Sequence, residues 1–471
     1  RAPFDSPVMI ARLTSLLGLL AVVGSSSSRY REFIYDPATD PDLRFKQFRI
    51  QLNVPDVLIP AVDGTADVYA IAARQMSWKI LYDPDHILDQ TEVFGFGNAN
   101  DPLSFGYLGP TIEARVGRKV RVKWINQLTY SDGTFRRHLL PIDQTLVWAN
   151  PPGGFFHRDE PGPDPKPYTG AVPIVVHLHG HVSKEESNGY PEAWFLPEKC
   201  INCQPFAKSG TLYEHFRDLS AYEWTPGSAI TEYENDQHPA MLYYGDNTLG
   251  IQRVNQLAGL KGLYFLRGNF ETGDVEELAG VPEVPLVLGD VTLTPHGQLF
   301  YPAARANYEG FEFHVPLTPA RVDQCGISEV SDIHPGWVPE FYGNLPTVNG
   351  NAWPVLEVTD SCHRLRILNT ANSRVWILEF ENGLPFTIIG GDLGYLDGER
   401  APHGLQQSQV TLAPGESVDI LVDFSDFRGQ RLLLLNRGPD GPMRETFQPA
   451  NPATTGTVMA FDILWSQPTT K

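Results

Sequence analysis

The sequence predicts an all-β chain made of two strand-rich halves, and three observations carry that reading. Apolar and polar side chains alternate at period two in both halves of the 471 residues. Turn-forming segments such as "LGP", "VNGN", "ENG" and "APGE" interrupt these runs at short intervals. No long segment carries a helical stripe, so sandwiches or barrels are favoured over a parallel sheet with crossover helices.

In "KVRVKWI", Val120, Val122 and Trp124 share one face while Arg121 and Lys123 take the other, as a half-buried strand requires. The pattern returns in "RLRIL", with Leu365 and Ile367 inward, and in "SVDILVDF", with Val418, Ile420, Val422 and Phe424 inward. Short helices are expected near "EHFRDLSAYEW" and "TLGIQRVNQLAG". A polar, acidic stretch separates the halves, which sets the expected units at 45–268 and 284–466 with a linker over 269–283. The loop from Trp148 to Gly170 is too rich in Pro and Gly for regular structure.

Composition narrows the function classes. The chain is 42% hydrophobic and 20% charged, with 40 Pro and 42 Gly, so it can bury a sizeable core without disulfides. A net charge of −20 with no Lys/Arg-rich run argues against nucleic acid or an anionic membrane as partner. Residues 9–28 place Arg12 before an apolar run from Leu13 to Val23 and then small residues, the order of a secretory signal peptide. The run is shorter than the roughly 20 residues that span a bilayer, so 1–28 reads as upstream residues and a removable leader, and the remainder as an exported protein with no membrane anchor. No Asn-x-Ser/Thr site supports export independently. Cys200, Cys203, Cys325 and Cys362 could form up to two disulfides with undetermined pairing. "CINC" reads as a small disulfide loop or free thiols in preference to a zinc knuckle, since no second ligand pair completes a zinc site.

The candidate site is "VVHLHGHV". A strand puts His177 and His179 on one face, a natural chelating pair whose neutral imidazoles suit copper, zinc, iron or nickel. Gly180 is expected to bend the chain and turn His181 aside, which leaves His181 as a possible additional ligand. Taken alone, such a pair can equally be hydrogen-bonded core histidines.

The surrounding residues decide between these. "VVHLHGHVSKEESNGYPEAWF" resembles the first copper-binding segment of multicopper oxidases, especially the bilirubin oxidase and spore-coat laccase branch. Upstream, "GYLGPTIEARVGRKVRVKWINQL" and "HLLPIDQTL" are similar to the family's preceding strands. Downstream, "VPLVLGDVTLTPHGQLFYP", "LPTVNGNAWPVLEV", "RLRILNTANSRVWILEF" and "LAPGESVDILVDF" follow its second domain in order, and the likeness spans roughly residues 60–465.

The resemblance implies tandem cupredoxin-like Greek-key sandwich or barrel domains. It also implies a copper-dependent oxidoreductase that oxidises a small organic reductant, a phenol or a tetrapyrrole, and reduces dioxygen to water. On it, His177 would bind the type 2 copper and His179 one member of the type 3 pair. The family's next motif, Tyr or Trp followed by His-x-His, is occupied here by "YYGDN", so Gly245 and Asn247 stand at lost ligand positions while Tyr244, Asp246, Arg253, Asn255 and Gly259 still fit. Glycine offers no ligand atom, and an amide oxygen is a poor copper donor.

The third, type 1 copper domain is expected to be absent, because the chain ends soon after "GTVMAFDILW" and no His-Cys-His motif occurs. Cys362 and His363 in "SCHRL" lack the other type 1 ligands. The expectation is a degenerate oxidase, inactive as this chain alone, with copper held at most partially and no catalytic residue assigned. The alternative is a non-catalytic cupredoxin tandem with a binding or structural role, free to self-associate or take a partner chain over the surface that would dock a third domain. Gly-x-Ser-x-Gly, His-Glu-x-x-His and P-loop motifs are all missing.

Overall fold

The computed structural model describes residues 34–142, 159, 168, 170–201, 207–268, 278, 280–301, 340–396 and 404–465. The leader-like segment, most of the loop 148–170, Cys203, Cys325 and most of the expected linker lie outside these residues.

After a one-turn helix α1 (Leu43–Lys46), the first set of strands comprises β1 (Ala61–Asp63), β2 (Ala66–Trp78), β3 (Thr91–Asn98), β4 (Gly109–Arg115), β5 (Lys119–Asn126), β6 (Val176–His179), β7 (Ser228–Tyr233), β8 (Ala240–Asp246) and β9 (Lys261–Arg267). They form two sheets, β1-β2-β5-β7 with β3 beside β2, and β4-β9-β8-β6. Helix α2 (Tyr213–Leu219) precedes β7, and α3 (Gln252–Leu257) bridges β8 and β9, at the two segments near which short helices were expected.

The second set runs β10 (Glu283–Leu293), β11 (Leu299–Phe300), β12 (Leu345–Val348), β13 (Asn351–Ala352), β14 (Val355–Thr359), β15 (Cys362–Asn369), β16 (Trp376–Phe380) and β17 (Phe386–Gly391). It closes with β18 (Gly394–Tyr395), β19 (Leu405–Gln407), β20 (Gln409–Leu412), β21 (Ser417–Asp423), β22 (Arg431–Asn436) and β23 (Thr457–Leu464). One sheet is β13-β12-β10-β15-β21-β17-β18, with β11 and β19 at its margins, and the other is β14-β23-β22-β16-β20. In each half a strand pairs in parallel with one far along the chain: β2 with β5, β4 with β9, β10 with β15 and β14 with β23. Such pairs need connections that cross from sheet to sheet, as in a Greek-key sandwich.

Each sandwich has its own core. Val120, Val122 and Trp124 of β5 are fully buried with Phe96, Tyr244 and Tyr264 in the first. Leu365, Ile367, Val418, Ile420, Val422 and Phe424 are buried together in the second, as the alternation predicts. Strand β15 departs from that alternation, because Arg364 and Arg366 on its polar face are buried too. That face meets the first sandwich. The Arg366 guanidinium lies 4.8 Å from the Phe265 ring centre, and Glu283 joins Arg364 at 3.0 Å to Arg267 of β9 at 2.8 Å. Leu108, Met241, Leu263 and Phe265 pack with Val287 and Leu368 in the same seam. Lys261 is buried there with its Nζ donating to Thr370 Oγ1 at 2.9 Å, and burial brings its ammonium down to about 8.

Candidate functional site

His177 and His179 lie on β6, the edge strand of the second sheet, and both project from the face predicted by period two. His177 is half-buried and His179 exposed, with ring centres 6.1 Å apart and planes at 87°. The His177 Nδ1 is 2.6 Å from the Asn188 carbonyl oxygen. With Nδ1–H donated to that carbonyl, Nε2 keeps its lone pair for a metal, the arrangement by which a second partner orients a ligating imidazole. Although the residue as a whole is exposed, the His179 ring stacks on Tyr243 at 4.8 Å, and its partial desolvation there chiefly, with His177 beside it, lowers its tendency to protonate. The turn at Gly415 approaches from the second sandwich, since a side chain there would come within 4.0 Å of His179 Nε2.

Gly180 has φ +84 and ends the strand, so His181 leaves the face of the pair. Its Nδ1 lies 2.9 Å from Ser183 Oγ and its Nε2 3.2 Å from Asn235 Oδ1, with the ring edge-on to Tyr233. Both nitrogens are engaged by protein, which sets His181 apart from the other two as a packed histidine.

The strand facing the pair is β8, with His177 opposite Gly245 and His179 opposite Tyr243. A Cβ at Gly245 would lie 3.1 Å from Gln256 Nε2, so the α3 glutamine fills the space a larger residue would use. Gln256 is held there by donating to the Asp246 carbonyl at 2.8 Å. Asn247 turns its amide away from copper duty, donating from Nδ2 to the Gly189 carbonyl at 2.9 Å.

Between these two positions Asp246 is fully buried. Its Oδ1 accepts from Val175 N at 3.2 Å and Thr248 Oγ1 at 2.8 Å, and its Oδ2 from Thr248 N at 3.0 Å and Asn255 Nδ2 at 2.8 Å. Burial nevertheless pushes the carboxyl up to about 7. Asn255 Oδ1 in turn lies 3.0 Å from His138 Nε2, while His138 Nδ1 lies 2.9 Å from Leu140 N and 3.0 Å from the Leu140 carbonyl oxygen. Burial brings His138 down to about 4, so it is neutral at ordinary pH. Sequence reading noted Asp246 and Asn255 but missed His138 and Gln256, which only the fold brings beside them.

Cys200 is disulfide-bonded and so offers no thiolate to a metal. Cys362 is a free, exposed thiol at the start of β15, and His363 beside it is buried with Nδ1 3.0 Å from the Ser361 carbonyl oxygen. Among the described residues, no group of three or more His, Cys, Asp or Glu side chains converges on a common metal position. No helix among them is long and apolar enough to cross a membrane.

No family model matches the chain. It is 32% identical over 445 residues to a rice (Oryza sativa subsp. japonica) protein named multicopper oxidase LPR1 homolog 1, covering 92% of this chain and 63% of that protein. It is 31% identical over 423 residues to a laccase of Bacillus stratosphericus, covering 89% of this chain and 66% of the laccase. The chain belongs to the multicopper oxidase family.

Solved family structures match its fold. A multicopper oxidase from Pediococcus acidilactici superposes with TM-score 0.53 at 21% identity, covering 89% of this chain and 61% of that one. McoA from Aquifex aeolicus does so with TM-score 0.55 at 18% identity, covering 89% and 66%. The all-β, cupredoxin-type architecture expected from sequence is thus the observed one. The chain spans somewhat under two thirds of the length of these curated relatives.

Family membership implies copper. His177, whose Nδ1 is taken by the Asn188 carbonyl so that Nε2 keeps its lone pair, and His179 are the two imidazoles on this strand that could hold copper. A trinuclear cluster does not fit the described residues, because the strand opposite His177 carries glycine, its space is taken by Gln256, and Asn247 is committed to the backbone.

Proposed function

We propose that this is an exported, oxidase-derived cupredoxin protein whose first-domain copper half-site has decayed to His177 and His179, leaving it without dioxygen-reducing activity. The observation that carries the reading is the pairing of His177 with Gly245, together with the Gln256 amide seated where a ligand at 245 would stand. Cluster chemistry needs several imidazoles around each copper, and a backbone position without a side chain cannot supply one. The ligand-free positions lie well inside the chain, so the argument is independent of what precedes or follows it.

On this reading His177 and His179 hold a single copper weakly through neutral imidazoles, and the chain acts by binding instead of by catalysis. The leader-like order of residues 9–28 supports export.

Copper loading followed by metal analysis, absorption spectroscopy and oxygen-electrode measurements tests the proposal. The expected result is about one copper per chain or less, with no dioxygen uptake above the buffer rate on a phenolic or a tetrapyrrole donor. Uptake of several coppers per chain together with donor-dependent oxygen consumption would overturn it. The double change His177→Ala/His179→Ala is expected to abolish the copper that does bind, and unchanged uptake would place the metal elsewhere.

A further inference from the structure

The seam between the two sandwiches is built on the outward face of β9. Tyr264 and Leu266 pack inside the first sandwich, so the alternate residues Lys261, Leu263, Phe265 and Arg267 form one row facing the second. Leu263 and Phe265 pack with Val287 and Leu368, and Arg267 pairs with Glu283 at 2.8 Å. Lys261, at the other end of the row, has no such match.

Lys261 is only 9% exposed, and its Nζ donates to one partner, Thr370 Oγ1 at 2.9 Å. That hydroxyl gives its own proton to the Leu288 carbonyl at 2.9 Å, so it meets the amine as an acceptor. Gly289 leaves the room, since a Cβ there would stand 4.0 Å from Nζ. Among the described residues no carboxylate forms an ion pair with Lys261. A protonated amine has three N–H groups to satisfy and a charge to balance, and this pocket serves one N–H. A neutral amine is well served by the same hydroxyl.

The charged and titratable groups around it do not change that balance. From β10 the Asp290 carboxylate attracts the amine, but it is held by the Arg374 guanidinium at 2.9 Å. From β8, Gly245 stands directly opposite, and Tyr243 follows on the same face with its buried hydroxyl pushed up to about 12. His177 lies one strand further off, beyond Gly245. From β15 and β21, Arg364, Arg366 and Asp419 are paired with one another and with Glu283 at the far end of the seam.

We infer that Lys261 makes the contact between the two sandwiches sensitive to pH, the seam closing most firmly over the neutral amine and opening more readily when the amine is charged. Opening hydrates the ammonium, whereas closure leaves two of its N–H groups without acceptors. Burial lowers the amine from an ordinary 10.5 to about 8 in the closed seam, so below pH 8 both states hold the proton and closure is weakest. Closure gains as pH rises from 8, and the gain is complete above 10.5. Copper has no part in this device, which stands whether or not the oxidase reading does.

Methionine oxidation of the 471-residue chain by dilute hydrogen peroxide, followed by peptide mass spectrometry, tests the inference. Met241 lies in the seam, Met459 in the core of the second sandwich, and Met443 is exposed. They report seam opening, unfolding of the second sandwich and the reagent itself. Relative to Met443, Met241 is expected to oxidise faster than Met459 and to slow by about fortyfold between pH 8 and 10. In Lys261→Leu that slowing is expected to fall below about twofold, because no amine is left to titrate. Thr370→Val removes the acceptor from the charged form and is expected to carry the slowing to lower pH, which keeps the test open if the leucine variant folds poorly. Equal oxidation of Met241 and Met459 at every pH, a Met241 rate that ignores pH, an unchanged slope in Lys261→Leu, or an unshifted profile in Thr370→Val would each overturn it.

Discussion

Replacing Arg374 by alanine is expected to destabilise the protein by about 3–5 kcal/mol at neutral pH, the cost typical of leaving one member of a buried ion pair alone. Arg374 and Asp290 are almost wholly buried, with the guanidinium Nε 2.9 Å from Asp290 Oδ2. The same guanidinium donates to the carbonyls of Gly343 at 2.7 Å and Pro439 at 3.0 Å, and to Asp440 at 2.7 Å. It therefore ties the middle of β10 to two loops of the second sandwich. Removing it leaves Asp290 with the Gly343 amide as its remaining hydrogen-bond donor and strands two carbonyls. Urea unfolding at pH 7 measures the loss. The double change Asp290→Ala/Arg374→Met is expected to cost less than Arg374→Ala alone, since it removes the orphaned charge as well. A single variant that melts like wild type would show that water replaces the guanidinium without penalty.

Nothing in "NSRVW" marks Arg374 as an internal strut, and the reason is general to this chain. Period-two alternation reports which residues share a face, and it placed Leu365, Ile367 and the β21 residues correctly. It does not report what covers the other face. Arg364 and Arg366 read as solvated, yet the seam with the first sandwich buries both, because Phe265 and Glu283 arrive from elsewhere in the chain. The histidine pair was legible for the opposite reason. His177 and His179 lie in one short strand, and Gly180 is itself the signal that His181 turns away. Gly245 and Asn247 were legible as residues without an imidazole, but what packs against them was not. That Gln256 fills the gap depends on α3 returning over β8, a tertiary fact with no local signature.

The buried chain of Asp246, Asn255 and His138 beneath the histidine strand is expected to give opposite pH slopes in two single variants. Asp246 has its pKa raised from an ordinary 3.8 to about 7, so the folded state holds a proton that the unfolded chain has released. That contribution is fully present below pH 3.8 and is lost as pH rises through about 7. His138 is lowered from an ordinary 6.5 to about 4, so its contribution is present above pH 6.5 and is lost as pH falls through about 4. Each amounts to about 3–4 kcal/mol across its window. In the wild type the two largely offset each other between pH 4 and 6.5. Asp246→Asn removes the acid and sets an amide donor among four existing donors, which is expected to cost about 2–3 kcal/mol at neutral pH. What remains is the histidine slope, so this variant gains stability as pH rises from about 4 to 6.5. His138→Gln leaves the carboxyl slope and loses stability as pH rises from about 4 to 7. Urea midpoints measured across that range separate the outcomes. Parallel slopes in the two variants would mean that the network does not titrate as its burial and hydrogen bonds require. Opposite slopes would mean that the two groups beneath the histidine strand titrate separately, Asp246 keeping its proton over a range in which His138 is neutral.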